Sequence, residues 1–366
     1  MEKDVYGKCK LAFHRDKLEA LLKGEITAPI YVRIKPTNRC NHKCYYCSYA
    51  PGSDCVVSET INLRDEIPLG KMLEILDDFK VMGVKAMTYS GGGEPLIYPH
   101  IVLAMKKTLE NSIDLSIITN GQELNKEKAD LLSNSQWVRI SSDASNAKTF
   151  AEIRRVPESW FYRLSKNIEN FAKIKRKDCE LGINFVVNEK NAATVFQSAK
   201  YFKELGVNHI KITPVYNLDF FGYHKPFKTS VEEQIQRARE ELSGDGFTVY
   251  DTYEQDFQLS GNNERGYPRC HVMQIIPVIA ADSKVYFCHD KTYTKNGCLG
   301  SVKDQSFRKL WFSEEAKKIF RDFDPRKGCQ HHCTHDQRNL EIGNMIENMD
   351  NLDDFKPLSE VHKNFI

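Results

Sequence analysis

Short apolar runs rich in β-branched residues recur along the chain, spaced so that a helix fits between each pair. The first, IYVRIKP, covers 30–36 and VKAMTYS covers 84–90; IDLSIITN ends at Asn120, WVRISSD at Asp143, CELGINFVVN at Asn188 and NHIKITPVY at Tyr216. The intervening stretches have helical length and amphipathic spacing, so the pattern predicts six βα units. Right-handed βα crossovers build a parallel sheet, either doubly wound or curled into a barrel. The strands follow one another without a topological break. The unusual polar segments lie just past strand C-termini, where βα-barrel enzymes keep their chemistry. Both features favour an α/β fold built on a partial (β/α)6 TIM-type barrel.

The rhythm fails after Tyr216. YNLDFFGYHKPFKTS is aromatic and turn-rich, VEEQIQRAREELSG reads as a charged helix, and SGNNERG reads as a loop. Further on, IPVIAADSKVYFCHD has the form of a hairpin around ADSK. The expected organisation is an N-terminal helical segment over 1–29, the barrel over 30–216, a connecting helix and loops over 217–265, a small cysteine-rich hairpin-plus-helix domain over 266–345, and a tail over 346–366 that reads as surface helix or mobile end.

Composition narrows the function. The chain has 366 residues, with 52 Lys+Arg against 50 Asp+Glu and a formal charge of +2. That balance lacks the basic footprint of a nucleic-acid binder. The start has no apolar signal region and no run of 18 apolar residues occurs, so a cytoplasmic protein without membrane insertion is expected. In a reducing compartment its 11 cysteines are ligands, catalytic groups or buried fillers rather than a disulfide framework.

Three of them crowd into TNRCNHKCYYCSYA: Cys40, Cys44 and Cys47, directly after the first strand. Such short spacings let a loop wrap one metal centre. A zinc knuckle could take His42 as fourth ligand, but a histidine two residues from both Cys40 and Cys44 tends to point away from a centre both face. The alternative is a four-iron cluster with one iron left open, and an open position marks a catalytic metal site.

CxxxCxxC with an aromatic before the last cysteine, Tyr46, resembles the radical S-adenosylmethionine (SAM) superfamily, and SGGGEP after the second strand is similar to that family's glycine-rich segment. The resemblance implies a [4Fe–4S] cluster on the three cysteines, with the methionine part of SAM in the open position. It also implies SAM contacts at Tyr46, Gly91, Gly92, Gly93 and Glu94, at Asn120, Ser142 and Asp143 where strands three and four end, and at Gly182, Asn184 and Val186 on strand five. FAEIRR at 150–155 resembles the segment whose arginine pairs with the cofactor carboxylate, which points to Arg154, with Arg155 as competitor.

The second group comprises Cys270, Cys288, Cys298 and the pair Cys329 and Cys333. Cysteines before and after a hairpin resemble the twitch and SPASM auxiliary-cluster extensions of the same superfamily. The SPASM form normally has seven cysteines. Five here imply one auxiliary [4Fe–4S] cluster on Cys270, Cys288, Cys329 and Cys333, with Cys298 a substitute ligand, a buried thiol or a reactive one. Zinc bound by these cysteines and His331, His332 or His335 is the competing reading. Cys9, Cys55 and Cys179 are expected to be structural.

The resemblance implies reductive cleavage of SAM to a 5′-deoxyadenosyl radical that takes a hydrogen atom from a small polar substrate. The spacing of the second group looks like that of aminocyclitol dehydrogenases, suggesting a sugar or cyclitol and an oxidation or radical rearrangement. A SPASM-type peptide maturase is the alternative, and a non-catalytic zinc or iron–sulfur scaffold a third. A flavodoxin or ferredoxin is the expected electron donor. TPVYNLDFFGYHK supplies Tyr216, Asp219 and His224 as candidate bases for a substrate hydroxyl, although an aromatic hinge would look the same.

Overall fold

The computed structural model describes residues 6, 9–50, 58–217, 219–260, 264–331, 333–356 and 360–366. All six expected strands are present: β1 (Tyr31–Ile34), β2 (Ala86–Tyr89), β3 (Asp114–Thr119), β4 (Trp137–Ser141), β5 (Glu180–Val187) and β6 (His209–Pro214). They pair in chain order, each parallel to the next. The parallel run does not stop there. A seventh strand, β7 (Thr248–Asp251), adds to β6 with Ile210 opposite Val249, inside the stretch expected to hold only helix and loops.

On the other edge β8 (Val278–Ile279) lies parallel to β1, followed by antiparallel β9 (Lys284–Tyr286) and β10 (Cys298–Ser301). The result is one open ten-stranded sheet in the order β10-β9-β8-β1-β2-β3-β4-β5-β6-β7. The hairpin of the cysteine-rich domain thus continues the barrel sheet and does not form a separate layer.

Helices cover the outer face because their apolar positions fall on one stripe. In Leu69–Met82 the buried residues are Met72, Ile75, Leu76 and Phe79, the i, i+3, i+4, i+7 spacing of a helix on a sheet. Odd and even positions of the strands part the same way. In β4, Val138 and Ile140 are buried under helices while Trp137, Arg139 and Ser141 face the lumen.

The cysteine-rich domain is bolted to the barrel. Trp311, fully buried, donates its indole N–H to the Thr27 carbonyl at 2.9 Å, and the Asp78 carboxylate accepts from the Arg308 amide at 2.9 Å. The tail is tied down as well. Phe365 and Ile366 are buried, and the Phe365 ring meets Tyr31 and Trp137 edge-on at 5.3 and 5.4 Å, closing the N-terminal end of the barrel. The last helix of the cysteine-rich domain, Asp336–Glu347, crosses position 345.

Candidate active site

The loop leaving β1 carries the first three cysteines, and backbone bonds from three neighbours fix it. The Asn38 amide donates to Asp65 O at 2.9 Å, the Gly93 and Glu94 amides donate to Thr37 O at 3.0 Å and Arg39 O at 2.8 Å, and the Lys43 amide donates to Arg154 O at 3.0 Å. The glycine run is what allows this approach. A Cβ on Gly93 would stand 1.9 Å from Arg39 O, and one on Gly92 would stand 2.2 Å from Asn38 Oδ1, distances only glycine tolerates. A tight turn then brings the Cys47 amide 3.2 Å from Cys44 O. Cys40, Cys44, Cys47, Gly91–Gly93, Glu94, Asn120 and Arg154 consequently line one cavity of about 690 Å³.

Behind that wall lies a buried polar hub. Asp143 Oδ2 accepts from the Tyr46 hydroxyl at 2.5 Å and stands 2.5 Å from Arg154 Nη2, while Oδ1 accepts from the Val186 amide at 3.0 Å. Arg154 Nη1 reaches Cys44 Sγ at 3.5 Å, Nη2 is engaged by Asp143, and Nε has no hydrogen-bond partner among the described residues. One arginine therefore touches the thiol wall and keeps donors for a further anion. Glu94 is organised differently. Its oxygens accept from the Leu96 and Asn120 amides at 2.9 and 2.7 Å and from the Thr119 hydroxyl at 2.6 Å, and burial still raises its carboxyl above the usual range.

Of the expected SAM contacts, Tyr46, Ser142, Asp143, Asn184 and Val186 stand outside the cavity lining. Ser142 is fully buried, its hydroxyl without a partner among the described residues, and its amide donates to Asn184 O at 3.2 Å. Gly182 instead accommodates His209, whose Nε2 would lie 2.0 Å from an added Cβ.

His42 lines the same cavity but is packed as an aromatic side chain. It is buried, its ring packs on Phe150 and Trp160 at 5.9 and 5.7 Å, and both ring nitrogens lack partners among the described residues. Burial, helped by Arg154, pulls its pKa down to about 3, so it serves as a neutral aromatic filler. Two of the thiols nearby resist ionisation: burial raises Cys44, and burial, with Glu94 adding to it, pushes Cys40 up to about 12. Among the described residues no three His, Cys, Asp or Glu side chains already form a closed metal cage; backbone placement is what gathers the cysteines. Three thiols on one open cavity wall suit a cluster with an exogenous fourth ligand.

The second group is assembled by long-range side-chain bonds. Arg265 Nη1 pairs with Asp336 Oδ1 at 2.6 Å, both nearly fully buried, and Tyr267 donates to the same oxygen at 2.8 Å. Asn339 clasps the Cys270 segment, accepting from the His271 amide at 2.6 Å and donating to Arg269 O at 3.0 Å. Asp290, two residues past Cys288, accepts from the Thr334 amide at 2.8 Å, beside Cys333. Burial raises all four expected thiols, with Cys270 and Cys333 pushed up to about 12; Cys333 adds to the effect on Cys270 and Cys288, and Cys329 to that on Cys333. Cys298 does not join them. It lies on β10 against the apolar cluster of Val278, Ala280, Tyr286 and Tyr293.

Cys179 is buried with its thiol 3.7 Å from Ser135 Oγ, as expected of a core residue. Cys9 is half-buried against the core under the N-terminal helix, and Cys55 and His332 lie outside the described residues. Tyr216, Asp219 and His224 do not line the cavity. Asp219 caps a short helix through the Gly222 amide at 3.1 Å. His224 is wholly buried, with Nδ1 3.0 Å from the Tyr253 hydroxyl and Nε2 3.0 Å from Val215 O; the aromatic-hinge reading describes it. Sequence reasoning missed Asn41, whose Oδ1 accepts from Asn120 Nδ2 at 2.6 Å, and Tyr293, whose hydroxyl bonds Asn38 Oδ1. Asn41 sits between two expected ligands, a signal that was available.

Comparison with known proteins agrees with this geometry. The model of the radical SAM superfamily matches residues 34–193, and that of the SPASM iron-sulfur cluster-binding domain matches 270–348. Similar proteins include a GTP 3′,8-cyclase of Clostridium perfringens, 27% identical over 60% of this chain and 65% of the cyclase. A pre-heme d1 synthase of Dinoroseobacter shibae is 24% identical over 82% of this chain and 78% of the synthase. The match spans 65%, 45% and 66% of three such cyclases, so the chain covers less than two thirds of each. Streptococcus suis SuiB bound to S-adenosylmethionine shares the fold, with a TM-score of 0.62 at 18% identity over 86% of this chain and 72% of that one.

Over residues 34–193 the chain carries a radical SAM domain. It also carries a C-terminal SPASM domain, and the two domains imply a SAM-binding [4Fe–4S] cluster, SAM itself and an auxiliary cluster. Among the described residues no helix is long and apolar enough to cross a membrane.

Proposed function

We propose that the protein abstracts a hydrogen atom from a small polar metabolite held in the barrel lumen, in an oxidation or radical rearrangement fed by a flavodoxin or ferredoxin. Bound SAM and a reduced cluster supply the hard chemistry, a radical able to attack an unactivated carbon. Cys40, Cys44 and Cys47 would hold that cluster, and Gly91–Gly93, Glu94 and Asn120 would shape the space for SAM. Arg154, oriented by Asp143 and Tyr46, keeps donors for the cofactor carboxylate. The protein's remaining task is to exclude water and hold one C–H bond in place.

The observation carrying this reading is a second chamber, about 300 Å³, in the lumen. Arg139, two residues before the cavity-lining Ser141, and His289, directly after Cys288, both line it. It is therefore bordered by a strand that also reaches the cofactor cavity and by the residue next to an auxiliary cysteine, and its volume suits a metabolite. The cyclase and synthase named among the relatives fit a small-molecule substrate better than a sugar or cyclitol specifically.

The test is anaerobic turnover with SAM and dithionite, following 5′-deoxyadenosine. Deuterated phosphometabolites, polycarboxylates, cyclitols and peptides are then screened for label transfer into it. Label from a small metabolite is the expected result; transfer from peptides alone would assign the chain to the peptide maturases, and no 5′-deoxyadenosine under any condition would end the enzyme reading.

A further inference from the structure

The lumen chamber carries an unbalanced charge. Five cationic side chains line it, Lys10, Arg33, Arg139, Lys211 and Arg338, against the Glu180 side chain and Ile366, the last residue, with its main-chain carboxylate. Arg33, Arg139, Lys211 and Arg338 make no ion pair within 4.0 Å among the described residues. Their partners are neutral: Arg33 Nε donates to Tyr31 at 3.3 Å and Arg139 Nη1 to Tyr6 at 3.5 Å, while Lys211 lies over the Tyr6 ring at 5.4 Å. Arg338 Nη1 stands 2.7 Å from His335 Nδ1. Asp290, Asp256 and Glu341 reach Arg33, Lys211 and Arg338 only through space.

Unused donors point the same way. Among the described residues Arg139 Nε is buried without a partner, as is His335 Nε2, which carries the ring proton because Nδ1 accepts from Arg338; His289 Nδ1 also lacks one. Buried donors without acceptors are costly unless something fills them. The cations also strain one another: burial, then Arg139, with Arg33 and Arg338 adding, pulls Lys211 down to about 8. A bound oxyanion would relieve that repulsion and accept from several donors at once.

We infer that this chamber is an anion site, and that the substrate it takes is a small molecule carrying two or more negative charges on phosphate or carboxylate groups. The inference rests on the small-metabolite reading above and sharpens it. A neutral cyclitol leaves the donors' charge uncompensated, and an aminocyclitol is repelled.

Binding to the anaerobic holoprotein tests this without turnover, by calorimetry with pyrophosphate, citrate and myo-inositol as probes. One pyrophosphate or citrate per chain is expected, weakened at least about ten-fold in Lys211→Gln and Arg338→Gln and unchanged in Lys166→Gln, a change at an exposed helical position. Preference for pyrophosphate would assign a phosphate ester, and preference for citrate a polycarboxylate. A second measurement needs no variant: acetylation of Lys211 in the wild-type chain, read by mass spectrometry, should slow when either anion is present while that of Lys166 does not. Equal binding of inositol, or Lys211 acetylated at the same rate with and without anion, overturns the proposal. Because neither readout involves SAM cleavage, a chain that binds anions yet never forms 5′-deoxyadenosine sinks the enzyme reading alone, and the converse sinks this one alone.

Discussion

The two cysteine groups reach similar ends by opposite means. Cys40, Cys44 and Cys47 lie within eight residues, and main-chain bonds to Thr37, Arg39 and Arg154 hold their loop against a run of glycines. Cys270, Cys288 and the pair Cys329 and Cys333 come from three separate segments, tied to one another by a buried ion pair and by the Asn339 and Asp290 side chains. A contiguous loop can leave one face open, as a catalytic cluster needs. Thiols drawn from three separate segments would enclose a cluster from several sides once it is bound, which suits electron transfer or stapling. The difference predicts that the groups fail independently.

The largest effect should come from replacing Cys40, Cys44 and Cys47 together by alanine. Cleavage of SAM should disappear, while iron falls from about eight to about four per chain, the auxiliary cluster surviving; 5′-deoxyadenosine and iron–sulfide assays read both. Residual cleavage, or loss of all iron, would break the comparison. Arg265→Met comes next. It strands the Asp336 carboxylate in the interior and should cost about 3 kcal/mol, with the auxiliary iron lost first. The double change Arg265→Met, Asp336→Leu should recover part of the loss, since apolar packing replaces a buried pair well. Urea unfolding of the apoproteins measures the stability, and iron content of the holoproteins the cluster.

Gly93→Ala tests the first group through its backbone. The added methyl, 1.9 Å from Arg39 O, must push the cluster loop away at a cost of about 1–3 kcal/mol. A displacement near 1 Å at a reacting centre lowers turnover on the order of a hundred-fold. The auxiliary iron should be untouched, and 5′-deoxyadenosine formation with iron content separates the two effects.

The contrast also explains what could be read in advance. Six strands were legible because parallel strands under helices are apolar runs, and the first cysteine group because its ligands are local. β7 escaped because TVYD is only four residues, follows a charged helix and buries Val249 alone. The Arg265–Asp336 pair and the docking of Phe365 join positions far apart, which no local pattern encodes. The chamber had a readable signal that was passed over. Arg33, Arg139 and Lys211 alternate with apolar residues inside strands, which on an antiparallel sheet would mean solvent. In a barrel whose outer face is covered by helices, the polar alternate positions have only the lumen to face.

Cys298 gives the smallest expected effect and the finest discrimination. It is the fifth cysteine of a region whose family form has more, so spacing alone leaves it eligible as a ligand. Its thiol points to Gly300 O at 3.8 Å along its own strand, and the charges that act on it come from Lys284 and Asp282, with no cysteine among them. Cys298→Ala should therefore change stability by no more than about 1 kcal/mol, the scale of a lost half-buried side chain, and leave the iron content as it was. The same change at Cys288 should remove the auxiliary cluster. Equal iron loss in the two variants would mean that the hairpin, and not the clasp built by Arg265, Asn339 and Asp290, selects the ligands.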